Sequence, residues 1–305
     1  MALLSKPGGG SPVALPAHTL VGRSSACTLR IEDRLASGEH ARLSFADGTW
    51  TVRDLASRNG TWLDGSRIEP GGTRELREGS RLAFGNVSAP WDLIDASPPV
   101  AMARRSGDDT LFIAQDGMLA LPSADEPEAC VFESRGVWTA EIDGDSRPTE
   151  DGEILLVAGQ SYKLHLPVAG QRTEDASAAS YLDEVALSLR VSRNEEQVEV
   201  VLSGRSGVRA LVPRSHHYTL LILARARQKD EDTPSLKEPQ RGWRHVDDLC
   251  RSLAIDENRL NVEIHRIRQD FARAGLSDAT TIVERRSGSR LLRLGTARVT
   301  IAPLG

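Results

Sequence analysis

Four short clusters fall in order near the start of the chain: Gly22-Arg23, Ser37-Gly38-Glu39-His40, Ser57-Arg58-Asn59-Gly60-Thr61 and Phe84-Gly85. All sit at turns between strand-like runs. Arginine brings a planar, permanently charged fork of donors, and serine brings a hydroxyl. Donors of this kind, held at loop tips by a rigid sheet, suit a phosphate. A second set of polar residues lies near the other end. Along 257–274, Leu260, Ile264, Ile267, Phe271 and Ala274 recur at steps of four and three and form one apolar helical stripe. The opposite face carries Asn258, Val262, His265, Arg266, Gln269 and Arg273, flanked by Arg259. Base edges and phosphates call for such polar forks and cations. Val262 lies at the centre of that face, where contact with a thymine methyl would account for an exposed apolar residue. Arg285, Arg286 and Arg290 crowd a predicted hairpin, placed either to enter a minor groove or to grip phosphates.

These residues need elements to hold them. Residues 1–17 are rich in Gly, Pro and Ser and are expected to be a mobile tail. From 18 to 95 the chain reads as short strands, with Asp47-Gly48 and Asp64-Gly65 as hairpin turns, because a tight turn needs residues tolerant of positive φ. A linker over 96–108 leads to a β-rich accessory segment, 109–167, with turns at Asp116-Gly117 and Asp143-Gly144. That segment faintly echoes the end of the first one, Trp138 matching Trp50, but it lacks the Gly-Arg, Ser-x-x-His and Asn-Gly pieces. No chemistry is expected of it. A second linker, 168–184, precedes 185–305, where two alternating runs give way to three helical stretches and a hairpin around Ser287-Gly288-Ser289. The expected fold is multidomain: an N-terminal all-β sandwich, a short β-rich middle segment, and a C-terminal α+β winged helix-turn-helix.

The order "GR … SxxH … SRNGT … FG", with a tryptophan strand between, resembles the forkhead-associated (FHA) domain over about 18–95, a quarter of the chain. That resemblance implies a β-sandwich that binds phosphothreonine peptides. It implies that Arg23 and Ser37 hold the phosphate, with help from the Gly38 N–H, and that Arg58 and Asn59 meet the peptide, Asn59 at its main chain. Gly22, His40 and Gly60 would be architectural, His40 bracing the loops by a hydrogen bond. A phosphothreonine carries −1.5 to −2 charges and three acceptor oxygens, which matches these donors.

Residues 185–300, with "LNVEIHRIRQDF" ahead of a hairpin, resemble the OmpR-type winged-helix effector domain of response regulators. This implies double-stranded DNA as a partner, read by the predicted third helix. The chain departs from that family in having no receiver domain and a very short connection between its second and third helices. The long insertion lies between the first and second helices, and the wing lacks the family's Gly-Tyr.

Composition bounds the rest. Residues 1–184 hold 17 Lys and Arg against 28 Asp and Glu, a balance of −11, whereas 185–305 hold 21 against 15, a balance of +6. An acidic front and a basic back are expected to serve different partners. No apolar run is long enough to span a bilayer. Cys27, Cys130 and Cys250 have neither metal-ligand nor disulfide-framework spacing, so a soluble, reducing, cytoplasmic setting is expected. No nucleophile elbow, phosphate loop, dinucleotide fingerprint or metal cluster occurs, so no enzyme, cofactor or metal is expected. The His216-His217 pair opens a helix and has no carboxylate at ligand spacing. Three functions stay open. One is an adaptor that docks a Thr-phosphorylated protein or a Ser/Thr kinase and carries it to DNA. Another is a phospho-dependent scaffold without DNA contact. The third is self-docking of a phosphorylated Thr173 or Thr233.

Overall fold

A computed structural model of the chain describes residues 1–108, 110–169, 180–205 and 207–304. The chain divides into two compact units. The first runs from Met1 to Arg104 and resumes at Lys163; the second runs from Arg105 to Tyr162 and continues to the C-terminal part.

The first unit is an all-β sandwich. Its strands are β1 (Leu3–Ser5), β2 (Val13–Ala14), β3 (His18–Gly22), β4 (Leu29–Arg30), β5 (Ala41–Ala46), β6 (Thr49–Asp54), β7 (Thr61–Leu63), β8 (Ser66–Arg67), β9 (Thr73–Leu76), β10 (Arg81–Phe84) and β11 (Trp91–Asp95). One sheet has the order β4-β3-β5-β6-β9 and the other β2-β1-β11-β10-β7-β8. The sequence builds these layers by alternation: in β5, Ala41, Leu43 and Phe45 turn inward and Arg42 outward. Val21, Leu43, Val52, Leu82 and Leu93 are fully buried, and Trp50 fills the space between them. Asp47-Gly48 and Asp64-Gly65 both take positive φ, as a two-residue hairpin turn requires. The start of the chain differs from the expected mobile tail. Leu4 pairs with Leu93 across β1 and β11, and Ala2, Leu4 and Leu15 are buried in the sandwich. Apolar residues on either side of the Gly8–Gly10 turn give this segment a face to bury, which its overall composition conceals.

The second unit begins after β12 (Met102–Arg105) with β13 (Leu111–Ile113). An antiparallel sheet of β14 (Met118–Leu121), β15 (Ala129–Ser134), β16 (Val137–Ile142) and β17 (Asp145–Pro148) follows, then β18 (Ile154–Val157) and β19 (Gln160–His165). The C-terminal part opens with β20 (Ala186–Val191), β21 (Val198–Gly204) and β22 (Gly207–Ala210). Then come α1 (His217–Glu231), β23 (Arg244–His245), α2 (Val246–Leu253), α3 (Glu257–Arg273), β24 (Val283–Arg286), β25 (Leu291–Leu294) and β26 (Val299–Pro303). The closing strand β26 pairs in parallel with β20, and β23 joins the β24–β25 hairpin. Asp256 caps α3, accepting from the Arg259 N–H at 2.7 Å. Leu260, Ile264, Ile267 and Phe271 are buried on the expected stripe, packed with Leu220, Leu221, Val246 and Leu249.

Candidate functional site

Three loops meet at one end of the sandwich, tied by backbone and side-chain groups. The Arg23 N–H donates to the Ser37 carbonyl (2.9 Å) and the Ser24 N–H to the Gly38 carbonyl (2.9 Å), zipping the loop after β3 to the loop before β5. This close approach explains Gly22: a Cβ there would lie 2.3 Å from the Gly38 oxygen. The Arg58 N–H donates to Ser37 Oγ (3.1 Å), so the hydroxyl is held as an acceptor on one side and its own proton is left to donate elsewhere. Asn59 Nδ2 donates to the Leu35 carbonyl (2.8 Å), which ties the third loop to the second. One of the two Asn59 amide N–H donors thus already serves the protein, which leaves the second N–H and Oδ1 for a peptide. The Arg23 and Arg58 side chains are exposed, and among the described residues neither guanidinium has an acidic partner.

His40 is buried beneath the loops. Its Nδ1 accepts from the Ser37 N–H (3.0 Å), which fixes the proton on Nε2, facing the Gly60 carbonyl at 3.2 Å. Burial holds its pKa below the ordinary value, so the neutral imidazole does the bracing. Gly60 takes φ +82, and a Cβ there would strike the Arg67 side chain at 2.3 Å. The sequence patterns overlooked Asp54. Its carboxylate accepts from Ser57 Oγ (2.6 Å), the Ser57 N–H (3.1 Å) and Thr61 Oγ1 (2.7 Å), shaping the turn that presents Arg58 and Asn59. Burial opposes its ionisation, but these donors outweigh it and keep its pKa low. The spacing Asp54-x-x-Ser57 was its only signal, a short side chain capping a turn.

Residues 19–85 match the family model of the FHA domain. The N-terminal unit carries an FHA domain. Over 49 residues the chain is 47% identical to the FHA domain-containing protein FhaB of Mycobacterium tuberculosis, covering 16% of this chain and 32% of that protein. Over 167 residues it is 28% identical to the ABC transporter ATP-binding/permease protein Rv1747 of the same organism, covering 53% of this chain and 16% of that one. Among solved structures, Mycobacterium tuberculosis EmbR in complex with a low-affinity phosphopeptide matches at 20% identity and a TM-score of 0.28, over 32% of this chain and 25% of that chain. The chain spans about a third of the length of the FhaB relatives.

The second candidate surface lies on α3 and the hairpin, and here the structure departs from expectation. Val262, His265 and Gln269, expected to face outward, are buried. Leu260 and Val262 lie on opposite sides of the helix, so α3 is enclosed and not half-exposed. The sheet β14–β17 supplies the contacts on that side. Glu141 on β16 takes Arg268 through both oxygens (2.8 and 2.9 Å) and Arg285 through Nε (3.0 Å), all three side chains being buried. His265 Nδ1 lies 3.9 Å from Cys130 Sγ on β15. Arg273 is exposed but pairs with Asp116 (3.1 Å). Arg290 pairs with Glu257 (2.8 Å) and Asp247 (3.3 Å), and Arg286 stacks on the Trp243 ring at 4.4 Å. Of the expected surface, Asn258 and Arg286 are exposed and Arg266 half-exposed. The middle segment, from which no chemistry was expected, thus provides the buried carboxylate at this face.

The His216-His217 pair does find a carboxylate. Both Nε2 atoms reach Asp270 Oδ2 on α3, at 2.7 and 3.3 Å, and pin the start of α1 to α3. Two imidazoles and a carboxylate within 4.8 Å of one another are also a metal-ligand set. Asp270 is 54 and 53 residues away from the two histidines, beyond any spacing rule. No helix among the described residues is long and apolar enough to cross a membrane. Thr233 is exposed just after α1, and Thr173 lies outside the described residues.

Proposed function

We propose that this chain is a non-catalytic signalling regulator whose FHA domain docks a Thr-phosphorylated protein, such as a Ser/Thr kinase or its substrate. The observation that carries this is the junction at Ser37. Ser37 is bonded to the backbone N–H of both Arg23 and Arg58, whose exposed guanidiniums have no acidic partner among the described residues. Arg23 supplies the fork for the phosphate, Ser37 the hydroxyl donor and Gly38 a backbone N–H. Arg58 and Asn59 contact the peptide. The test is capture of peptides from a degenerate phosphothreonine library by the full chain, against the same library unphosphorylated. Phosphate-dependent retention is expected. Arg23→Ala should weaken binding of the selected peptide roughly tenfold to 150-fold, the loss of one charge-assisted contact of about 1.5–3 kcal/mol. Retention without phosphate, or by Arg23→Ala at full affinity, would refute the assignment.

For the C-terminal part, we propose a winged helix that acts on duplex DNA. The order of three helices and a hairpin supports this, as do the +6 balance of 185–305 and the exposed Asn258 and Arg286. A second reading, a phospho-dependent scaffold that never touches DNA, is favoured by the burial of Val262, His265, Gln269 and Arg285. Binding of a random-sequence duplex across a salt series separates the two. Contacts to phosphates weaken steeply as salt rises, and a scaffold shows no binding at all.

A further inference from the structure

The contact between β14–β17 and α3 has an unusual make-up. The apolar core of the C-terminal part draws its buried members from Leu182 to Val299, and none comes from the middle sheet. That sheet keeps a small apolar cluster of its own, Met118, Cys130 and Phe132. What joins the two is charge. Glu141 holds Arg268 and Arg285. Asp116 holds Arg273 at 3.1 Å. Asp145 accepts the Gly288 N–H of the hairpin at 2.6 Å. Three carboxylates on one side meet three guanidiniums and a backbone N–H on the other. Arginine forks and backbone N–H groups are the donors that hold duplex phosphates. Among the described residues the two share no apolar cluster, the Phe132 ring meeting Arg268 at 4.8 Å instead, and a contact without one lacks the main force that makes an interface permanent. The buried ion pairs lend it specificity more than strength, because the desolvation of three charges offsets their attraction. One carboxylate facing two buried guanidiniums also leaves an excess positive charge on the α3 side.

We propose that the β14–β17 sheet is a displaceable acidic cover on a polyanion site formed by α3 and the β24–β25 hairpin, and that duplex DNA takes these donors when the cover leaves. Arg268, Arg273 and Arg285 become the phosphate contacts, and Glu141, Asp116 and Asp145 are their intramolecular substitutes. This rests on the DNA reading of the C-terminal part and adds its regulation: the closed state hides the site, and apparent affinity falls by the fraction of molecules that are open.

The test uses the full chain at one fixed salt concentration with two cover variants. Glu141→Gln weakens the buried centre, and Asp116→Asn with Asp145→Asn weakens the rim without stranding a buried charge, in case the first variant fails to fold. Two readouts are taken. Opening is read from the alkylation rate of Cys130, buried against His265, by mass spectrometry. Binding is read from the fluorescence anisotropy of a labelled random-sequence duplex. The expected result is faster Cys130 labelling in a folded variant, together with duplex binding tighter than wild type by about tenfold. Cys130 labelling that stays at the wild-type rate in both variants would overturn the displaceable cover. So would wild-type protein binding the duplex as tightly as the variants, while leaving the DNA reading intact. Variants that open but bind no duplex would overturn the DNA reading and the occupant named here.

Discussion

His265 makes the covered face sensitive to acid. The ring is 3% exposed, and burial, followed by the nearby Arg268, pushes its pKa from 6.5 down to about 4. Asp116 acts the other way, and Arg266 and Arg273 add to the depression. As pH falls below 6.5 the unfolded chain takes up a proton that the folded ring refuses, so stability is lost until about pH 4, where both states are protonated. At 1.36 kcal/mol for each pH step, the gap between 6.5 and about 4 corresponds to about 3 kcal/mol at most. His265→Gln removes the titrating group and keeps a polar side chain of similar reach. Hydrogen exchange of the α3 amides gives the local stability of both proteins. Between about pH 7 and about pH 4.5, wild type should lose about 2 kcal/mol more than His265→Gln. The acid titration of other groups is common to both proteins and cancels in the comparison. If the two proteins lose stability in parallel, to within about 0.5 kcal/mol, the buried neutral imidazole is not what links this face to pH.

Two further outcomes follow from single contacts. Gly22→Ala places a methyl 2.3 Å from the Gly38 oxygen, so the loops carrying Arg23 and Ser37 must part; overpacking costs about 1–3 kcal/mol, and phosphopeptide affinity should fall at least about tenfold while the sandwich persists. Calorimetry with the selected phosphopeptide checks this, and unchanged affinity would count against the loop geometry. Asp270→Asn removes the charge that both His216 and His217 address and should cost about 1.5–3 kcal/mol, read by denaturant unfolding. A loss of less than about 0.5 kcal/mol would show that the clasp between α1 and α3 contributes little.

The loop end of the sandwich was legible in the sequence because its information is local. Gly22 and Gly85 mark places where a Cβ would collide with a neighbouring loop, Gly60 one where it would strike the Arg67 side chain, and the Asp-Gly pairs mark turns that need positive φ. Each is a property of two or three adjacent residues. The helices of the C-terminal part were legible for a similar reason: the 3.6-residue period of Leu260, Ile264, Ile267 and Phe271 is written within one turn of the next. Asp54 went unnoticed because an acidic residue in a strand-like run reads as an exposed one, and only the structure shows its three donors. The N-terminal strand went unnoticed because the Gly, Pro and Ser among residues 1–17 read as loop, although Leu4 and Leu15 carry its burial.

What the sequence hid on α3 is a pairing across long separations. Glu141 lies 127 residues from Arg268 and 144 from Arg285, and Asp116 lies 157 from Arg273. A helical wheel assigns every side chain either to the helix's own core or to solvent, and it has no third category for a face covered by another sheet. Val262 and His265 therefore looked free. The overall charge balance did hold a trace of the answer. An acidic front and a basic back were expected to face different partners, yet two carboxylates of the front, Glu141 and Asp116, meet three guanidiniums of the back inside the same chain. Complementary halves of one molecule satisfy each other first, because an intramolecular contact is formed at high effective concentration. The duplex partner proposed for the basic half would therefore have to compete with the acidic half, and the strength of that competition would set whether the α3 face is ever seen from outside.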